Sequence, residues 1–246
     1  MSQAPDPRET TADALRAAAE TMHAVRDHCV WTQQITHRDL VPYLVEESAE
    51  LIDAVEEGSR ADLREELGDL LWQVLFHAEI ASRDPDDPFD IDDVAAGLTD
   101  KMVRRHPHVF AGETAETPAE VLVHWNAAKA LEKHERTSVL DGVSERMPSL
   151  ALAHKLLSKA AQVGLEPAAT ARLQSPDEDA GAARGLGGQM QSRGSEVAEP
   201  ASESELGDAL LELVATARAQ GWDAERALRE RLRALRDSIR SAEQGQ

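Results

Sequence analysis

The chain has 246 residues, 41% hydrophobic and 29% charged, which suits one or two globular domains with a sizeable core. A formal net charge of −20 argues against nucleic-acid or anionic-membrane partners, and a single cysteine, Cys29, excludes an internal disulfide. No apolar run approaches the ~18 residues that cross a bilayer, and the polar opening MSQAPDPRET lacks the apolar centre of a signal peptide, so a cytoplasmic protein is expected.

Aromatic residues are scarce and Ala, Leu, Glu and Arg dominate, a mix that favours helix, while β-branched runs are missing. An all-α fold is expected. Residues 1–9 read as a loose tail and 10–28 as a helix, followed by a short loop holding Trp31. Thr36 to Asp39, THRD, resembles a capping box that opens a second helix containing YLVEESAELIDAV, which Gly58 and Ser59 end. Ser59 or Asp62 starts a third helix, reaching about Ser82. Its main stripe is Leu63, Leu67, Leu70, Val74 and Ala81. Trp72, Phe76 and Ile80 cover other faces, so it is expected to be buried nearly all round.

DPDDP, from Asp84 to Pro88, is a loop; a helix follows from about Ile91 to Arg105, then a turn, HPHVFAGET. Thr117 as N-cap with Pro118 at the first helical position opens a helix to about Thr137. Another runs from near Pro148 to a stop at Gly164. Residues 166–203 are poor in large apolar side chains and are expected to be mostly disordered. Helices near 204–219 and 223–241 close the chain. ELGDLLWQV from Glu66 and ELGDALLEL from Glu205 form a weak internal repeat.

The second helix carries acids where leucines belong. At about 100° per residue, Leu40, Leu44 and Leu51 share a stripe with Glu47 at its centre and Glu50 at its edge beside Tyr43. A carboxylate buried alone is costly. Glu66 and Asp69, also one turn apart, lie on the third helix, and the short turn between the helices makes them antiparallel neighbours. Converging acids without cysteine point to a hard divalent cation, Mg²⁺ or Mn²⁺, rather than structural zinc. The competing reading is that these acids face solvent. It suits Glu46, Asp53, Glu56, Glu57 and Glu65 better than Glu47. His77, near Glu66 in sequence, reads as a satisfied core histidine rather than a ligand.

E-E-x-x-E followed after fifteen residues by E-x-x-D resembles the signature of the all-α nucleoside triphosphate pyrophosphohydrolases. More narrowly, CVWTQQITHRDLVPYLVEESAEL, EELGDLLWQVLFHAEIA, KMVRRHPHVF and HWNAAKALEK are similar to the MazG family. The resemblance implies a helical bundle in which Glu47, Glu50, Glu66 and Asp69 ligate Mg²⁺ (Mn²⁺ is an alternative), with Glu46 orienting a ligand or a water. It implies hydrolysis of nucleoside triphosphates to monophosphate and pyrophosphate, a housecleaning role and a homodimer. Val30, Thr32 and Ile35 stand where the family usually has Pro, Asp and Gln, which bears on substrate contacts of that loop and not on the metal site. The expected organisation is a tail and helix start over 1–19, a catalytic domain over 20–140 and a degenerate second repeat over 141–246. That repeat keeps Glu205 and Asp208 but lacks the other acid pair, so no catalytic metal is expected there.

Lys101, Arg104 and Arg105 share one helix face, and a triphosphate calls for such cations. Salt bridging to neighbouring helices is the alternative; with the resemblance, phosphate binding is preferred for Lys101 and Arg104 and held more loosely for Arg105. Trp125 and Lys129 offer a stacking face and a phosphate contact, or core packing. Trp31 stacks on a base or anchors its loop. His106 and His108 read as turn residues. Two other functions stay open: a narrower dUTP, dCTP or phosphoribosyl-ATP pyrophosphatase, and a catalytically weak helical module binding a nucleotide or a partner.

Overall fold

A computed structural model of the chain describes residues 7–132, 137–165 and 200–244, and these are helical with no strand among them. The helices are α1 (Pro7–His28), α2 (Val41–Glu56), α3 (Arg60–Ala81), α4 (Ile91–Arg105), α5 (Pro107–Phe110), α6 (Pro118–Glu132), α7 (Ser149–Gln162), α8 (Glu203–Ala219) and α9 (Ala224–Gln244), with a 3₁₀ turn at Thr32–Gln34. The all-α expectation holds. Helix α1 starts at Pro7, three residues ahead of the expected start. Residues 1–6, the expected end of α6 at 133–136 and the expected disorder of 166–199 lie outside the described residues. The chain divides into two compact units, Met1–Glu132 and Lys133–Gln246.

In the first unit, α3 is the central helix, packed by α1, α2 and α4. Met22, Leu40, Leu75 and Phe76 form the core, lined by Ile35, Leu71, Trp72, Ile80 and Ile91. The buried side of α3 is therefore Leu75, Phe76, Ala78 and Ala81, with Gln73 among them. Leu67 and Val74, assigned to the main stripe by periodicity, stay 52% and 41% exposed, so α3 is not covered all round within one chain. A helix apolar on every side does not reveal which side its own chain covers.

Thr36 and Asp39 do exchange capping bonds: the Thr36 N–H and hydroxyl both donate to Asp39 Oδ2 (3.0 and 2.6 Å), and the Asp39 N–H reaches Thr36 Oγ1 at 3.4 Å. The regular helix nevertheless begins only at Val41. Pro42 has no N–H to give the Arg38 carbonyl, so the α-helical ladder cannot extend back through this turn, and the Val41 N–H takes Arg38 O instead (3.2 Å). The preceding loop is pinned by buried Thr32, whose hydroxyl donates to Val25 O and Cys29 O (2.9 and 3.0 Å). Ser59 caps α3 in a full box with Asp62, and Asp90 caps α4 in another with Asp93. HPHVFAGET is more than a turn: Pro107 to Phe110 make one helical turn, closed at Gly112 with φ +75°.

The α2–α3 connection depends on Gly58 for a reason other than its φ. A Cβ there would stand 2.7 Å from both Cα and O of Ala54, backbone atoms that cannot swing away. Gly58→Ala is expected to destabilise the first unit by about 1–3 kcal/mol, the clash outweighing the entropic gain that usually favours alanine. Urea unfolding checks this; a variant as stable as the parent contradicts it.

In the second unit, Leu157, Val214 and Ala215 form the core, with Leu150, Ala153, Leu211 and Ala224 against it. Helix α7 ends at Gln162, and Gly164 just beyond it takes φ +71°. Glu205 of the repeated ELGD sits at the start of α8: its carboxylate accepts from the Ala201 N–H (2.7 Å) while its own N–H donates to Ser202 Oγ (3.2 Å). Glu205 thus serves as a helix cap.

Candidate active site

Glu47 projects from α2 toward Glu66 and Asp69 of α3, and one oxygen from each lies within 4.8 Å of the others. Among the described residues no other group of His, Cys, Asp or Glu closes so tightly. The placement follows from the hairpin. Glu66 and Asp69 are neighbours one turn apart, and the tight Gly58 turn brings α2 back alongside them. Glu47 is half-buried, the most covered residue between Val41 and Glu50. Glu50 and Glu46 are exposed and outside the close trio. Glu50 still acts on the trio, since it is the strongest charge raising Glu66.

The electrostatics are those of a site short of positive charge. Burial pushes the Glu47 carboxyl above its ordinary value, and Asp69, Glu50 and Glu46 push it further; a hydrogen bond from the Gln73 side chain opposes them. Burial likewise raises Glu66, followed by Glu50, Asp69, Glu65 and Glu47. Glu66 Oε2 is buried and takes no hydrogen bond. An all-carboxylate donor set, converging oxygens and an orphaned buried acceptor fit a hard divalent cation.

The cations of α4 are divided. Arg105 is committed to α6: its Nη2 and Nε donate to Glu132 Oε2 at 2.6 and 3.1 Å, and its guanidinium lies 4.9 Å over the Trp125 ring. Trp125 is further occupied by His106, edge-on at 5.4 Å. Arg104 touches Glu132 only at 3.5 Å and its side chain is 57% exposed. Lys101 and Lys129 are half-buried, and no hydrogen bond or ion pair among the described residues joins them to the acidic trio. Trp31 packs edge-on against Tyr43 and Phe76 (6.2 and 6.4 Å) yet remains half-exposed. The His106 Nδ1–H donates to Met102 O around the turn (2.7 Å), and His108 stacks on His124.

His77 departs from the expected satisfied histidine. Its Nδ1 pairs with His37 Nδ1 at 2.8 Å, but its Nε2 is buried without a partner. Gln73 is 5% exposed, and its Oε1 is also unpartnered. Sequence reasoning passed over Gln73. The available signal was its spacing, four residues after Asp69 and seven after Glu66, on the same stripe of α3.

The MazG nucleotide pyrophosphohydrolase domain family matches residues 35–110. A protein of Streptomyces cacaoi, described as an uncharacterized 26.1 kDa protein in the blaB 3' region, is 46% identical over 229 residues, covering 93% of this chain and 82% of its own. The nucleoside triphosphate pyrophosphohydrolase of Escherichia coli strain K12 is 34% identical over 225 residues, 89% of this chain and 81% of its own. The nucleoside triphosphate pyrophosphohydrolase/pyrophosphatase MazG of Thermotoga maritima is 34% identical over 221 residues, 88% and 79% respectively.

Proposed function

The chain belongs to the MazG nucleoside triphosphate pyrophosphohydrolase family, and from that premise we propose that Glu47, Glu50, Glu66 and Asp69 hold Mg²⁺ at the site where it hydrolyses nucleoside triphosphates. The enzyme releases the monophosphate and pyrophosphate. Water supplies the oxygen for the new P–O bond, and one P–O bond of the α–β bridge breaks. The observation that carries the assignment of residues is the convergence of Glu47, Glu66 and Asp69 oxygens within 4.8 Å, with Glu66 Oε2 unpartnered.

Mg²⁺, when bound, neutralises phosphate oxygens and lowers the pKa of water. The chain's own groups do the rest. Glu47, Glu66 and Asp69 would hold the cation, and through it the phosphates, at a fixed place between α2 and α3. Glu50 or Glu46, exposed beside the trio, takes the proton from the attacking water. Lys101 and Arg104 balance the charge that collects on the leaving pyrophosphate. Arg105, paired with Glu132 and lying over the Trp125 ring, holds α4 against α6 and so sets the position of Arg104. Trp31 and Lys129 complete the nucleotide contacts. Removal of noncanonical nucleotides is the biological sense of such an activity.

The protein acts as a homodimer in this reading. Val41, Val45, Ile52 and Val55 recur at spacings of four, seven and three residues on one face of α2, and Val45 and Val55 are 63% and 65% exposed. That stripe lies about 120° round the helix from Glu47, so a second copy can cover it without closing the site. The second unit, from residue 133, contributes packing and not a second metal centre, with Glu205 used as a cap.

Metal dependence tests the reading. Protein stripped with a chelator is expected to release no pyrophosphate from a nucleoside triphosphate and to recover on adding Mg²⁺. Undiminished turnover in excess chelator would remove the four acids from the metal role.

A further inference from the structure

The turn between α8 and α9 leaves a tryptophan on the surface. The Gly221 N–H donates to Arg218 O (3.1 Å) and the Trp222 N–H to Ala217 O (2.8 Å), with Gly221 at φ +71°. These are the paired bonds of a Schellman motif, in which the residue after the glycine often packs its apolar side chain back on the helix that ends there. Trp222 is instead 60% exposed, and among the described residues its indole meets no other ring and no guanidinium.

A single exposed apolar residue is ordinary. This one borders a cavity of about 450 Å³ within the second unit, between the first turns of α7 and the α8–α9 connection, a volume in the range of small-ligand sites. The acids of the cavity are occupied. Glu225 Oε2 accepts the Ala151 N–H (3.3 Å), one of the donors left open at the start of α7. Asp223 Oδ1 accepts the Arg226 N–H (3.0 Å) at the start of α9, and its Oδ2 stays open as an acceptor. The side-chain donors are not occupied. Arg218 is half-buried and fixed through its Nε, which donates to Ser158 Oγ at 3.1 Å, while neither Nη has a partner among the described residues. The half-buried His154 imidazole makes no hydrogen bond among them either. A guanidinium held at one nitrogen, with both amino groups open, is preorganised for an anion. The indole offers a face to a planar ring, and Asp223 Oδ2 suits a hydroxyl.

We propose that the second unit binds a nucleoside monophosphate in this cavity. The base stacks on Trp222, the phosphate takes the Nη groups of Arg218 with His154 beside it, and a sugar hydroxyl donates to Asp223 Oδ2. One guanidinium and one imidazole N–H match the about two negative charges of a phosphate monoester. A triphosphate brings more charge than these groups answer. All of these residues belong to the unit that holds none of the acidic trio, and nothing in the assignment depends on where the metal binds.

The test is calorimetric titration of the full chain, in excess chelator, with the monophosphates of adenosine, guanosine, cytidine and uridine, the four parent nucleosides and ribose 5-phosphate. The proteins are the parent, Glu66→Gln, Trp222→Leu and Arg218→Gln. At least one monophosphate is expected to bind the parent and Glu66→Gln alike, and more tightly than its nucleoside or ribose 5-phosphate does. Trp222→Leu, a change at an exposed side chain, is expected to weaken that binding by about 10–100-fold, the loss of one base–aromatic stack. Arg218→Gln is expected to weaken it by about 10–100-fold, the loss of a hydrogen bond to a charged group, and to leave the affinity for the nucleoside unchanged. No binding of any monophosphate overturns the proposal. So does ribose 5-phosphate binding as tightly as the best monophosphate, which marks an anion site without base recognition. Equal affinity in the parent, Trp222→Leu and Arg218→Gln, or binding lost in Glu66→Gln, places the nucleotide elsewhere and overturns it too. A second measurement reads the site directly. The indole N–H resonance of Trp222, identified among those of the four tryptophans by its absence from Trp222→Leu, is expected to move as the monophosphate is added to the parent; an unmoved Trp222 resonance at saturation overturns the proposal.

Discussion

Glu66→Gln is expected to lose at least about a hundredfold in kcat, a larger effect than typical for an outer partner of a metal ligand, and yet to melt at a higher temperature than the parent when both are free of metal. The two results have one cause. Burial and the charges of Glu50, Asp69, Glu65 and Glu47 hold the Glu66 carboxyl above its ordinary pKa. A carboxyl whose folded-state pKa is raised binds more protons folded than unfolded. Stability therefore falls as pH rises from the unfolded value through the folded one, and the cost persists at neutral pH. Glutamine removes that cost. The advantage of the variant should shrink as the pH is lowered below the ordinary glutamate range, where the parent's carboxyl is protonated in both states. Mg²⁺ should reverse the order: it raises the Tm of the parent by binding the folded state alone and leaves the variant unchanged. Scanning calorimetry with and without Mg²⁺, at two pH values, checks all three statements. A metal-free variant less stable than the parent at neutral pH would mean that Glu66 has a partner and is not waiting for a cation.

The second large effect separates two adjacent arginines. Arg104→Ala is expected to cost about 10²–10³ in kcat, the loss seen when one preorganised charge donor is removed from a transition state, with little change in Tm. Among the described residues its one hydrogen bond or ion pair is the 3.5 Å approach to Glu132, and its side chain is 57% exposed. Arg105→Ala is expected to do the reverse. Its pair with Glu132 is 2.6 Å long, between side chains only 13% and 20% exposed, and removing it strands a carboxylate between α4 and α6. The Arg105 guanidinium holds the Glu132 carboxyl below its usual range. That stabilisation is present above the ordinary glutamate pKa and is lost as pH falls through the lowered one. Arg105→Ala should therefore lower Tm by several degrees at pH 7, and by less in acid. Steady-state kinetics alongside thermal melts distinguish the two. Equal kinetic losses would put both arginines on the substrate.

Local chemistry explains which parts of the fold are legible in the sequence. The bounds of α4, Ile91 to Arg105, agree with expectation because Asp90 and Asp93 form a box at one end and a proline follows at the other. The second helix starts late because Pro42 interrupts a turn whose capping residues look sufficient on their own. Glu47 stands out in the sequence because, at about 100° per residue, it falls on the leucine stripe of its own helix, where an acid contradicts the period. Gln73 does not stand out, since a polar residue on a mostly apolar helix reads as an exposed one until α1 and α2 are placed around it. The pairing of Arg105 with Glu132 is invisible for another reason. The partners lie twenty-seven residues apart on different helices, and nothing in the local pattern of either names the other. Leu67 and Val74 are legible as apolar but not as uncovered, because apolar periodicity does not say which stripe of a helix its own chain covers.

The most direct measurement is product analysis. The protein, with Mg²⁺ and a panel of ribo- and deoxynucleoside triphosphates that includes oxidised bases, is sampled over time and the products are separated by ion exchange. The expected result is nucleoside monophosphate and pyrophosphate in equal amounts, with Glu66→Gln forming neither. Nucleoside diphosphate and inorganic phosphate, or no product with any triphosphate tried, would contradict the assignment of this acidic cluster to pyrophosphate release.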